Sequence, residues 1–304
     1  MKKIILIALV FVSATLANGQ ILYKISGNGL KNASYIVGTH HLVDASFVSQ
    51  IPGIDIAMKE TKQVYGELLM ENMMNPDTLA AFQKAMMLPE NTTIKDVLDP
   101  EHYDKLNKLL TELIGAPLDN PMLSASMGKM RPTSIMVQIE LFLYLKEYPG
   151  AFDPNNTIDA YFQLQAIQAK KIVGGLETYK FQTELLFNSK TIEKEVEALN
   201  CLIDNFDANK KQLLLLTEAY RNQNAEAIVE AMNMKNDNEC DKLSKNDEEQ
   251  LLKMRNENWL TQMPEIMKKA PTLFVVGTAH LFNTDGVILL LRKIGYTVEP
   301  VKSK

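Results

Sequence analysis

Two octapeptides near opposite ends of the chain, Tyr35-Ile-Val-Gly-Thr-His-His-Leu42 and Phe274-Val-Val-Gly-Thr-Ala-His-Leu281, agree at five of eight positions. In each, an aromatic and two β-branched residues run into Gly-Thr, one free position, and His-Leu. Such runs favour extended backbone, and a glycine is a natural place for a strand to stop. Of the four histidines in 304 residues, His40, His41 and His280 fall inside these octapeptides and only His102 lies outside. The pattern predicts two strand ends that deliver imidazoles to one site, so the fold must bring the two ends of the chain together. The plainer alternative is a structural histidine that satisfies each strand end.

At this length one large domain can bury a substantial core. Hydrophobic residues make up 46% and charged residues 23%, an ordinary globular balance that excludes wholesale disorder. The net charge of -5 comes with no basic stripe, which argues against a nucleic-acid partner. At the N-terminus, Lys2-Lys3 precede the apolar run 4–12, and small residues follow at Ser13, Ala14, Ala17 and Gly19. This predicts a signal peptide over 1–19, export to a periplasmic or secreted location, and no stable membrane insertion after cleavage. The apolar run is too short for a span of roughly 20 residues. Cys201 and Cys240 are the only cysteines and permit one disulfide in an oxidising compartment; two buried thiols are the alternative.

From residue 20 to 304 the pattern predicts one α/β domain with a mixed central sheet. Its strands come from the two ends of the chain, with a large helical insertion over about 75–170. Strands are predicted over 21–26, 33–37, 63–70, 171–178, 273–276 and 296–301, and amphipathic helices over 101–114 and 132–148. Thr157 is the expected N-cap of a helix over 157–171, and residues 233–247 read as a solvated polar loop. The methionines of 73–136 read as gap-filling core or as an adaptable binding surface. Glu67 stands out because it interrupts the apolar strand run 63–70, where an unpaired carboxylate is costly. Glu177 closes a second strand signal.

Ligands of open α/β sheets sit beyond the carboxyl ends of the strands, where His41, Glu177 and His280 would project. Two imidazoles and one or two carboxylates make a normal ligand set for a divalent transition metal (Zn, Mn or Co). A spare carboxylate can serve as general base, and Thr39 and Thr278 are candidates to orient a carboxylate or a substrate oxygen. No His-Glu-x-x-His, no Gly-x-Ser-x-Gly and no Cys-x-x-Cys offers another chemistry.

These residues resemble the TraB/GumN family, which includes the TIKI-type metalloproteases and lies in a wider group with erythromycin-esterase-like and ChaN-like proteins. The likeness rests on Gly38-Thr-His-His41 and Gly277-Thr-Ala-His280 and on the acid at Glu67. It also covers Asp159 to Lys171, then Gly175-Leu-Glu-Thr178 and Gln182, as well as Arg255-Asn256 with Trp259. Asn283-Thr284-Asp285 departs from a Pro-Gly-type turn after the second histidine. The resemblance implies metal-dependent hydrolysis of a peptide or small-molecule substrate. On that footing His41 and His280 bind metal, and Glu67 is ligand or base. Glu177 is a supporting or substrate-facing acid. Arg255 stabilises an oxyanion or a substrate carboxylate, or else is an ordinary surface arginine. Two other functions stand beside it: a cell-envelope protein that sequesters a peptide or small ligand in the same cleft, and a metallophore- or haem-handling protein.

Overall fold

The computed structural model describes residues 20–234, 240 and 249–302. The expected signal peptide over 1–19 lies outside them, as does most of the polar stretch 233–247. Six strands, β1 (Leu22–Gly27), β2 (Ser34–Thr39), β3 (Gln63–Gly66), β4 (Ile172–Gly175), β5 (Thr272–Gly277) and β6 (Tyr296–Pro300), form one sheet in the order β4-β3-β5-β2-β1-β6. The four strands from β4 to β2 run parallel, while β1 is antiparallel to both β2 and β6. The fold is therefore α/β with a mixed sheet, as the sequence predicts.

The octapeptides are near-continuous apolar runs because both faces of the sheet are covered. Tyr35, Val37, Leu273 and Val275 point to one side, into a core with Phe47, Ile54, Phe162 and Tyr220. Ile36, Phe274 and Val276 point to the other, against Trp259, Met263, Leu291 and Val298. A third core is wholly helical. The Leu106, Leu109, Leu110 and Leu113 stripe of helix Pro100–Ile114 packs there with Ile135, Ile139 and Leu143 of helix Pro132–Glu147, and with Leu199, Leu202 and Ile203 of helix Ile192–Asp204. Cys201 of that last helix is disulfide-bonded to Cys240, Cα to Cα 5.7 Å. Among the described residues no helix is long and apolar enough to cross a membrane.

One boundary differs from expectation in a way that matters for the site. β3 ends at Gly66, paired with Gly175 and Val275, so Glu67 is the first residue beyond the strand and not inside it. An apolar run with no alternation cannot show where pairing stops. Here Leu68 O leaves the ladder and accepts from the Gln163 amide at 2.7 Å. All four parallel strands thus finish on one edge of the sheet, at Thr39, Gly66, Gly175 and Gly277.

Candidate active site

Beyond that edge the chain places His41, Glu67, Glu177 and His280, each within three residues of a strand end. His41 stands at the mouth, with 68% of its side chain exposed. Its Nδ1 lies 3.1 Å from Asp159 Oδ2, and Thr39 Oγ1 donates to Asp159 Oδ1 at 2.8 Å. Asp159 occupies the first turn of helix Ile158–Gln168, which Thr157 caps through Ala160 N. An acid there is favoured by the helix dipole. The Asp159 charge and its hydrogen bond raise His41 to about 9. His40 turns the other way, into the core beside Thr217 and Tyr220, where burial pushes it down to about 4.

His280 closes a short 3-10 turn, Thr278–His280, and only 3% of it is exposed. Its Nδ1 pairs with Asn256 Oδ1 at 2.7 Å and its Nε2 accepts from Arg255 Nη1 at 2.9 Å. This arrangement selects the Nδ1–H tautomer, a neutral ring with its lone pair on Nε2. Burial pushes the same imidazole down to about 3, with Glu67 working the other way. The Trp259 ring packs against it, 4.3 Å between centroids.

Glu67 Oε1 accepts from Gly277 N at 2.7 Å, and Oε2 accepts from Arg255 Nη2 at 2.5 Å and Gln182 Nε2 at 3.1 Å. Burial alone would raise this carboxyl. The imidazole of His280, the Arg255 guanidinium, His41 and the Gly277 N–H outweigh it and hold Glu67 down to about 2. Since His280 is neutral by its hydrogen bonds, the full positive charge that does most to keep Glu67 ionised is that of Arg255. Glu177 is fully enclosed and accepts from Arg255 Nε at 3.0 Å, Trp259 Nε1 at 2.8 Å and Gln182 Nε2 at 3.1 Å. Arg255 is only 8% exposed and is no surface arginine. All three of its nitrogens donate within the site, to Glu177, Glu67, His280 and Leu251 O.

The groups meet at Gly277. A Cβ built on that glycine would lie 3.2 Å from Glu67 Oε1, 3.6 Å from His280 Cδ2 and 3.6 Å from His41 Nε2. The two rings, from motifs at opposite ends of the chain, are therefore separated by no more than twice that last distance at these atoms. Glycine at 277 leaves the space open.

That cradle and its donors fit a divalent transition metal in kind: two imidazoles, a carboxylate, and His41 braced through Nδ1 by an acid. Among the described residues, however, no three His, Cys, Asp or Glu side chains are already arranged as a metal site. Arg255 takes the His280 Nε2 lone pair and one Glu67 oxygen, and the Gly277 N–H takes the other.

A model of the TraB/PrgY/gumN family matches residues 21–300. The chain belongs to that family. Among curated relatives it is similar to "Metalloprotease TIKI1" of Danio rerio, 24% identical over 88% of this chain and 60% of that protein. It is also similar to "Metalloprotease TIKI homolog" of Nematostella vectensis, 22% identical over 88% of this chain and 65% of that protein. The chain thus spans less than two thirds of the length of these relatives. No solved structure matches.

Asp159, Asn256, Gln182 and Trp259 complete the site around the sequence-predicted residues. Their only signal in the sequence is membership of the segments that carry the family resemblance. Thr39 does orient a carboxylate, whereas the buried Thr278 hydroxyl has no hydrogen-bond partner among the described residues and faces Gly38.

Proposed function

We propose that this chain is an exported hydrolase that cuts peptides at the cleft beside His41, Glu67 and His280. The observation that carries the reading is the convergence of those three side chains on the Gly277 cradle. The relatives named as metalloproteases support it, and the signal-like N-terminus and the Cys201–Cys240 disulfide support export.

A divalent transition metal would be held by His41 Nε2, His280 Nε2 and Glu67, and would supply Lewis-acid polarisation of a carbonyl and a lowered pKa for water. Asp159 fixes the His41 ring so that Nε2 is directed into the cleft. Asn256 does the same for His280 by accepting from Nδ1–H. Glu67, ionised at neutral pH, would serve either as that carboxylate ligand or, if it does not ligate, as the base for water entering beside His41. Glu177 and Trp259 hold Arg255, and Arg255 keeps Glu67 charged. Loading the site requires Arg255 to release His280 Nε2.

The direct test is digestion of a defined peptide library by the purified mature protein, with and without added Mn, Co or Zn. Metal-dependent cleavage is expected, and intact peptides under all conditions would overturn the assignment. A second reading, capture of a peptide without cleavage, is favoured by one observation: Arg255 already satisfies both Glu67 and His280. It predicts peptide binding that survives a chelator.

Metal affinity should depend on pH with a definite sign. Below its raised pKa of about 9, His41 carries a proton that must leave before Nε2 can ligate. Isothermal titration should therefore show about 10-fold tighter binding per pH unit, or about 100-fold between pH 6 and 8. A flat profile would exclude His41 as a ligand.

A further inference from the structure

Beside His41 and Glu67 lies a cavity of about 320 Å³ whose far wall is made by Met70, Met73, Phe82, Tyr179 and Leu186. Three short pieces of chain build that wall. The 3-10 turn Met70–Met74 is pinned by Gln163, whose amide donates to Leu68 O and whose Oε1 accepts from Met70 N at 2.9 Å. Helix Pro76–Ala85 is laid on the outside with none of its residues buried, and its Phe82 makes an edge contact with Phe187, 5.5 Å between centroids. The segment after Tyr179 winds into a π-helical turn, Glu184–Asn188, a distortion that recurs at functional sites. It buries Phe187 and leaves Leu186 facing the cavity.

The charged side chains of the lining are all at the other end, and all are already engaged. Glu67 is held by Arg255, Gly277 and Gln182, and Asp159 by Thr39 and His41. A cation or anion entering the apolar end would lose its hydration and find only the Tyr179 hydroxyl, a large penalty. An apolar group gains there. Two methionines adapt their shape to it at little cost, so the wall tolerates several outlines. The volume is at the low end for a ligand pocket and suits one bulky side chain with its adjoining backbone.

The geometry points to this cavity as the specificity pocket of the cleft, one that takes the bulky apolar side chain (Leu, Met or Phe) of the substrate residue next to the bond being cut. The inference rests on the peptide-hydrolase reading, but the pocket can be tested without turnover. With the protein labelled as 13C-methyl methionine, titration of N-acetyl-leucinamide and N-acetyl-phenylalaninamide is expected to shift the Met70 and Met73 methyl resonances saturably. The matching aspartate and lysine amides should bind at least about 10-fold more weakly. Met73→Lys, at the partly exposed rim, should abolish the leucinamide shift at Met70, and Met73→Gln should weaken it, with melting temperatures confirming that both are folded. Equal affinity for the charged and apolar amides, or no saturable methyl shift in the wild type, would overturn the pocket. Apolar binding with no cleavage of any peptide would retain the pocket and remove the hydrolase. Cleavage with no apolar preference at either residue flanking the cut would do the reverse.

Discussion

His41→Ala is expected to cut peptide turnover by about 10²- to 10⁴-fold while leaving the melting temperature nearly unchanged. His41 is 68% exposed at the side chain and supports no core, so its removal costs the site and, beyond the solvent-screened pair with Asp159, little else. The matching variant on the other motif should behave differently. His280 is buried, hydrogen-bonded at both ring nitrogens and packed on Trp259. His280→Ala should lose turnover to the same extent and also about 1–3 kcal/mol of stability, because Asn256 and Arg255 are left with unsatisfied groups. Steady-state kinetics beside urea melts of the two variants would check this, and equal stability losses would show that the two histidines are not the inequivalent pair described here.

Arg255→Ala is expected to give the largest stability loss, about 3–5 kcal/mol at pH 7, because it strips the cation from two enclosed carboxylates. Glu67 and Glu177 are 13% and 0% exposed at their side chains. The pH dependence follows from the direction of the Glu67 shift. In the wild type its folded pKa, about 2, lies below the ordinary value of 4.5, so its contribution is present above that value and is lost as pH falls towards 2. Without Arg255 the burial that raises Glu67 is less opposed, so the variant has less of this contribution to lose on acidification. The difference between the two proteins should therefore shrink as pH is lowered from 7 to 4. Urea titrations at those two values measure it, and a difference that grew on acidification would contradict the ion-pair account. Arg255→Lys should recover only part of the loss, since an ammonium cannot span Glu67, Glu177 and His280 together.

The octapeptides made the convergence of the chain ends legible, though not the direct parallel pairing of β2 with β5. Their shared letters hid an asymmetry. The ladder pairs Thr39 with Gly277, a one-residue stagger, and the turns that follow differ. One imidazole consequently ends exposed and the other buried. Glu67 was recognisable as an acid in an apolar run, but its place just past the strand was not, because nothing in Gln63 to Met70 alternates. Asp159 was harder still. An acid in the first turn of a helix is ordinary, and only the packing of helix Ile158–Gln168 against the sheet brings it to His41. Arg255 shows the same limit: on a helix its spacing marks a face, and its three side-chain partners, Glu67, Glu177 and His280, come from other parts of the fold.

Metal stoichiometry after exhaustive dialysis, compared among the wild type, His41→Ala and His280→Ala, tests the convergence of the two motifs most directly. About one divalent ion per wild-type chain, and its loss from each single variant, is the predicted result. Retention of the ion by either variant at the wild-type level would mean that the two histidines do not share a site.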